Sequence, residues 1–354
     1  MAGLVAVSIV WTVALLSFSF GQGLLAWDFR FAYLPAADAV LAGDTPYPAV
    51  DDPILEDQKG YVYPPQLVLA ILPLAPLPVD VVAVLVVIGF LALGLSVLGV
   101  LGVRDLRCYA VLPLWMPFAS GVLFANLSIP LTLALALAWR YRDRVWPPAV
   151  ALGLAVSAKL LVWPMLVWTI ATHRRRATAW AVVLGVGVTL GSWAAIGFAG
   201  LAEYPSLLRR LSEIQSGNSY SLVGIASTLG LGEGAGRAGA LLCGLGLLAC
   251  CTVLARRGDD VRSFTCAVVA TLALSPIVWL HYLVVLLVPL AIARPRFGAV
   301  WLLPIVLVAS PRPGYPEGYE TFLPALVTVV VLASVLSAGS QHALTPRTVG
   351  VTRS

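Results

Sequence analysis

Charge is scarce in this chain. Only 11% of its 354 residues are Asp, Glu, Lys or Arg, against about a quarter in a soluble domain. That excludes an ordinary water-soluble surface over most of the mass. Cysteine is sparse as well. Cys108, Cys243, Cys250, Cys251 and Cys266 lie in or beside apolar runs without CxxC spacing, so neither a disulfide framework nor a cysteine metal site is indicated, and packing is the better reading. There are only three histidines, and no HExxH, P-loop, Rossmann glycine fingerprint or G-x-S-x-G occurs. Nucleotide-sugar chemistry of the soluble kind therefore has no visible home, and no motif calls for a metal or cofactor.

Apolar residues are abundant, at 60% of the chain. Several runs reach the roughly 20 residues that cross about 30 Å of hydrocarbon. The sequence predicts an all-α polytopic membrane protein forming a single domain over 1–354. The run 4–26 lacks a basic flank and a small-residue cleavage site, and reads as a retained first span. The net charge of +5 is not a nucleic-acid footprint, because the basic residues sit in short clusters between spans.

Those clusters set an expected topology, since Lys and Arg mark cytoplasmic loops. They fall at Arg104/Arg107, Arg140/Arg142/Arg144, Arg174–Arg176, Arg256/Arg257/Arg262, Arg294/Arg296 and Arg347/Arg353, and hold 15 of the 22 basic residues. Segment 26–63 instead carries seven acidic residues against two basic ones. The N-terminus is then inside, and 26–78 forms a first exterior loop. A second exterior loop covers 200–236, with Gly, Asn and Ser where a turn is wanted, and a third covers 310–320. Parity requires that 104–144, 147–172 and 263–293 each leave and re-enter the same face. Each therefore reads as a hairpin of short helices, with tips near Asn126, Lys159 and Ser275–His281. Arms of 12 to 16 residues cover only about 18–24 Å, so the tips are sunk in the membrane. Irregular backbone at that depth needs protein or a wet cavity around it. Full spans are expected near 79–103, 177–199, 237–255, 297–309 and 321–338.

Several polar residues stand out against this background. Asp28, in "WDFRFAY", lies among aromatics at the end of the first span, where partial desolvation suits a carboxylate to general-base work. Simple helix termination at the interface is the plainer alternative. "AADAVLAGDTPY" reads as a short amphipathic helix stopped by Gly43. "GYVYPPQLVLAILPLAPLP" places Tyr61 and Tyr63 before Pro64–Pro65 and then about 14 apolar residues broken by proline. It reads as a re-entrant or interfacial helix begun by the proline pair, either a groove for a lipid tail or a hydrophobic plug. Lys159 is a lone cation in "AVSAKLLVWP", a ligand for an anion such as a lipid phosphate unless it snorkels to the interface. His281 occurs in "SPIVWLHY". Asn126 and Asn218 are candidates for binding hydroxyls, or turn caps. The basic run "THRRRA" is explained by positive-inside anchoring alone.

Four stretches together resemble the polyprenol-phosphate-mannose-dependent mannosyltransferases of glycosyltransferase family 87, which have the GT-C membrane fold. They are "WDF" through "AVLAGDTPY", "YVYPPQLVLAILPLAPLP", "SAKLLVWP" and "SPIVWLHY". Departures are Val278 and Tyr282, where the family often has Ser and a second His, and the absence of a Gln before Asn126. The resemblance implies a GT-C-like bundle of about 10–12 transmembrane or half-spanning helices in the plasma membrane, with its active site facing the exterior. It implies transfer of a hexosyl group, mannose first, from a polyprenyl-phosphate donor to a glycolipid or polysaccharide acceptor, with inversion. Asp28 would be the base and His281 a second catalytic residue, a candidate with Lys159 for meeting the leaving phosphate. Lys159, Tyr63, Pro64 and Pro65 would hold the donor's phosphate and lipid, and Asn126, Asn218, Trp279 and Tyr282 the acceptor or sugar. Another polyprenyl-phosphate sugar such as arabinofuranose, or a non-enzymatic lipid or sugar transporter, stands as the alternative. A transporter would be expected to show repeat symmetry, and none is apparent.

Overall fold

The computed structural model describes residues 1–309 and 318–338. The expected third exterior loop, Arg312 within it and the Arg347/Arg353 cluster fall largely outside them. All the regular elements among the described residues are helices, with no strand. Five segments are long and apolar enough to span a membrane: α1 (Ala2–Gly21), α4 (Val79–Val100), α10 (Arg175–Ala195), α13 (Gly232–Arg256) and Gly318–Ser337, which contains α16 (Leu323–Ser337). Beside them lie six shorter apolar helices and a bent pair, Leu106–Leu114 with Met116–Leu123, turned by 69°. The chain is thus a polytopic membrane bundle of long and half-length helices. At 297–309, where a full span was expected, an 11-residue tight helical run, Ala299–Ala309, includes Pro304. Even at the 3-10 rise of about 2 Å per residue it covers only about 22 Å.

The three hairpins form. In the first, α5 (Leu106–Val111) and α6 (Met116–Leu123) rise to a turn at 124–127, and α7 (Ser128–Arg140) descends. In the second, α8 (Trp146–Ala158) breaks at Lys159, makes one tight turn over Leu160–Val162 and returns as α9 (Pro164–Ala171). In the third, α14 (Asp260–Ala273) ends before the irregular 275–279 segment, and Leu280–Leu286 leads into α15 (Leu287–Ala293). In the second hairpin, Pro164 opens α9 at its first position, where its missing N–H costs nothing. The α8 arm packs so closely on α10 that a Cβ on Gly153 would meet the Ala181 carbonyl oxygen at 2.8 Å. Small residues permit that approach between membrane helices.

The basic ends of the hairpins converge. Asp260, at the start of α14, accepts hydrogen bonds from Arg142 Nε (3.0 Å), Arg174 Nη2 (2.7 Å) and Trp168 Nε1 (2.9 Å). Asp105 receives Arg107 and the Phe297 backbone N–H in the same manner. Clusters far apart in sequence therefore share one end of the bundle, and the hairpin tips lie at the other. Two segments differ from expectation. The first helix stops at Gly21, so Asp28 sits in a separate folded turn and not on a continuous span. The 200–236 loop holds two further helices, α11 (Tyr204–Gln215) and α12 (Leu222–Thr228), with apolar positions such as Leu207 and Val223 turned inward.

Within the first loop, α2 (Leu34–Ala42) ends at Gly43 in the left-handed conformation (φ 85°) that glycine adopts without strain. Pro64 and Pro65 begin α3 (Pro65–Ile71), and Tyr61 Oη donates to the Pro64 carbonyl at 2.7 Å. Gln66 on α3 donates to the Ser157 carbonyl and accepts from Ser192 Oγ at 3.0 Å. One side chain thereby ties the proline helix to α10 and to the last turn before Lys159.

Candidate active site

The tips of the three hairpins meet the turn that follows α1. Asp28 donates its backbone N–H to the Phe124 carbonyl (3.2 Å), and Ala26 donates to the Leu123 carbonyl (2.7 Å). The 25–28 turn is thereby stitched to the end of α6. Ala26 and Ala125 both hold positive φ, 56° and 52°, a conformation that L-residues seldom adopt outside functional or tightly constrained turns. These strained alanines precede Asp28 by two residues and Asn126 by one.

The carboxylate is held from two sides. Asn126 Nδ2 donates to Asp28 Oδ2 at 2.6 Å, and Tyr33 Oη approaches the same oxygen at 3.4 Å. Tyr33 is five residues beyond Asp28, and the intervening Phe29–Tyr33 turn is a π-helix, which brings i and i+5 onto one side. Such turns recur at functional sites. Burial pushes the Asp28 carboxyl up to about 6; the hydrogen bond from Asn126, then the nearby Lys159 charge and Tyr33, hold it from rising further.

Lys159 lies across from it. Its Nζ is 3.6 Å from the centre of the Tyr282 ring and 5.5 Å from that of Tyr63. The ammonium is buried and has no hydrogen-bond partner, so it rests on aromatic faces through cation–π attraction. His281 is buried, its Nε2 is likewise unpartnered, and its ring stands edge-on to Phe124 at 6.0 Å. Unsatisfied buried polar groups of this kind are costly unless a ligand completes them. Tyr33, Tyr61 and Tyr63 pack edge to face around the carboxylate, and Tyr47 Oη donates to the Tyr63 carbonyl at 3.1 Å.

Asp28, Asn126, Lys159, Tyr63, His281 and Tyr282 are therefore brought into one cluster from four parts of the chain. Trp279 caps the run that carries His281 and Tyr282. Pro64 and Pro65 stand at the edge of the cluster as the start of α3, and Pro65 is buried. Asn218 is exposed. Its neighbour Tyr220 donates a backbone N–H to the Val278 carbonyl at 2.8 Å, which docks the segment but not the Asn218 amide. Sequence reasoning gave no role to Tyr33 or Gln66. The i, i+5 spacing of Tyr33 from an aspartate carries no signal under a 3.6-residue period, and Gln66 is legible only once α3 is packed on α10.

In this helical membrane bundle the half-length hairpins gather a carboxylate, an ammonium and an imidazole at one end, and ionisable groups placed so are functional candidates. The profile of glycosyltransferase family 87 matches residues 61–276, well over half the chain. The protein belongs to that family and is a membrane glycosyltransferase. Lys159 and Asn126 lie inside the matched residues; Asp28 and His281 flank them and are joined to them by the fold. Comparison with curated proteins and with solved structures gives no match.

Proposed function

We propose that the chain transfers a sugar, mannose first among the candidates, from a polyprenyl-phosphate donor to a hydroxyl of a lipid- or glycan-linked acceptor. The observation that carries this reading is a buried Lys159 ammonium that has no hydrogen-bond partner and lies within electrostatic reach of the Asp28 carboxylate. In the proposed step Asp28 takes the proton of the acceptor hydroxyl. The freed oxygen attacks the anomeric carbon and forms the new glycosidic bond. The bond from that carbon to the phosphate oxygen breaks, and its electron pair leaves with the polyprenyl phosphate. Attack opposite the leaving group inverts the anomeric centre. Lys159 leaves the Tyr282 face to neutralise charge gathering on the phosphate, and His281 Nε2 supplies a second contact.

Tyr63 with Pro64–Pro65 would border the donor's lipid end, and Trp279, Tyr282 and the outlying Asn218 the sugar and acceptor. A lipid-linked donor accounts for the absence of any nucleotide motif and for a site built at one end of a membrane bundle. The end opposite the arginine clusters is extracytoplasmic by the positive-inside rule, which fits the plasma membrane with the site outward. The test is a membrane assay with radiolabelled polyprenyl-phosphate-mannose, polyprenyl-phosphate-arabinofuranose and a panel of glycolipid and polysaccharide acceptors. Label transfer from the mannosyl donor supports the reading. Transfer only from the arabinosyl donor, or only from a nucleotide sugar, overturns the donor assignment.

A further inference from the structure

Asp28 is gripped by one oxygen only. Both side-chain donors that reach it, Asn126 Nδ2 and Tyr33 Oη, converge on Oδ2, and Oδ1 accepts no hydrogen bond among the described residues. The Asn126 amide has no freedom to turn. Its Oδ1 accepts the Ser128 backbone N–H at 2.9 Å, so its NH2 group must face the carboxylate, and its own backbone N–H is spent on the Gly121 carbonyl at 2.9 Å. Asn126 is 3% exposed, and its amide oxygen is already occupied before any ligand arrives. An amide held this way is poorly placed to grip an acceptor hydroxyl.

We propose that Asn126 is a positioning residue for the base: with Tyr33 it anchors Asp28 through Oδ2, so that Oδ1 alone is presented to the acceptor hydroxyl. This rests on the reading of Asp28 as the base and assigns Asn126 a part different from acceptor recognition. The strained backbone supports it, because positive φ at Ala125 and at Ala26 aims the two side chains at each other across the α6 turn. Donation to a carboxylate also stabilises its charged form. Removing the Asn126 donor therefore leaves Asp28 harder to ionise. The other titratable groups that face Asp28 are Tyr33, Tyr63, Tyr282 and Lys159, and these are retained in Asn126→Ala.

The test reads Asp28 directly. Infrared titration of the full-length protein in lipid nanodiscs follows the protonated-carboxyl band that Asp28→Asn removes. The account expects the Asp28 midpoint to move upward by about one pH unit in Asn126→Ala, and by less in Tyr33→Phe, whose ring packing survives. With turnover, kcat falls about tenfold or more while the donor KM stays within twofold. An unmoved midpoint in Asn126→Ala overturns the inference, as does a raised acceptor KM with the midpoint and kcat intact. Should Asn126→Ala not fold, Tyr33→Phe decides alone: an upward midpoint supports the anchoring and an unmoved one removes it. The titration needs no sugar donor, so its outcome is separate from the donor assignment. An Asp28→Asn protein with full activity would instead remove the base itself.

Discussion

Lys159 Nζ stands 3.6 Å over the centre of the Tyr282 ring without a hydrogen-bond acceptor. A cation stored on an aromatic face is held loosely enough to be drawn to a phosphate. Lys159→Ala is expected to raise the donor KM or lower kcat about ten- to a hundred-fold, the range for losing a charge-assisted contact of roughly 1.5–3 kcal/mol. Lys159→Arg restores charge but not the compact ammonium, and is expected to recover only part. Steady-state kinetics against donor concentration separates the two. Unchanged kcat and KM in Lys159→Ala would show that the ammonium serves the apo fold alone.

The pH profile follows from the Asp28 carboxyl, raised by burial to about 6. In the proposed mechanism Asp28 must be ionised, so activity is expected to fall as pH drops through that value. kcat/KM for the acceptor is expected to fall tenfold per pH unit below about 5.5. An acid limb near pH 4 would mean that the carboxylate is solvated during turnover.

Gly153 tests the packing that places the second hairpin tip. A Cβ there meets the Ala181 carbonyl oxygen at 2.8 Å, so Gly153→Val should force α8 away from α10. Overpacking of this kind costs about 1–3 kcal/mol. The expected result is a lower Tm by thermal-shift measurement, together with a loss of kcat, because Lys159 ends α8. An unchanged Tm would show that the helices are less close than described.

Sidedness is tested by single cysteines placed in a cysteine-free background. Positions 142, 175 and 257 should react with a membrane-impermeant maleimide only after permeabilisation, and position 59 should react without it. Labelling that puts 142 and 175 on opposite faces would break the hairpin reading, which the shared grip of Arg142 and Arg174 on Asp260 favours.

Much of the architecture was legible because a membrane reduces the choices. Apolar length fixes spans, and arginine position fixes parity, so three hairpins followed from the spacing of Arg104, Arg140, Arg174 and Arg262. The tips were legible too, since Asn126, Lys159 and His281 are polar residues with no other reason to sit at that depth. What stayed hidden depends on local backbone detail. The meeting of the 25–28 and 124–127 turns involves one positive-φ alanine in each, Ala26 and Ala125, and no residue-type preference announces those. The turn reading of "QSGNSYS" holds for the residues between α11 and α12, but the helices on either side were hidden because the buried faces that hold them belong to distant segments such as Leu55, whose carbonyl receives Gln215. Asn126 was legible as a polar tip residue, but not as a partner of Asp28, 98 residues away in sequence.

The most direct test of the central claim is the turnover of Asp28→Asn. The amide keeps size and polarity, but it cannot take up the acceptor proton. The account predicts a fall in kcat of at least about a hundred-fold, the usual contribution of a positioned base, with donor affinity and Tm close to those of the parent. Asp38, Asp44, Asp51, Asp52 and Asp57, changed to Asn one at a time, should each retain most of the activity. Full activity in Asp28→Asn, with one of those five inactive in its place, would contradict the account.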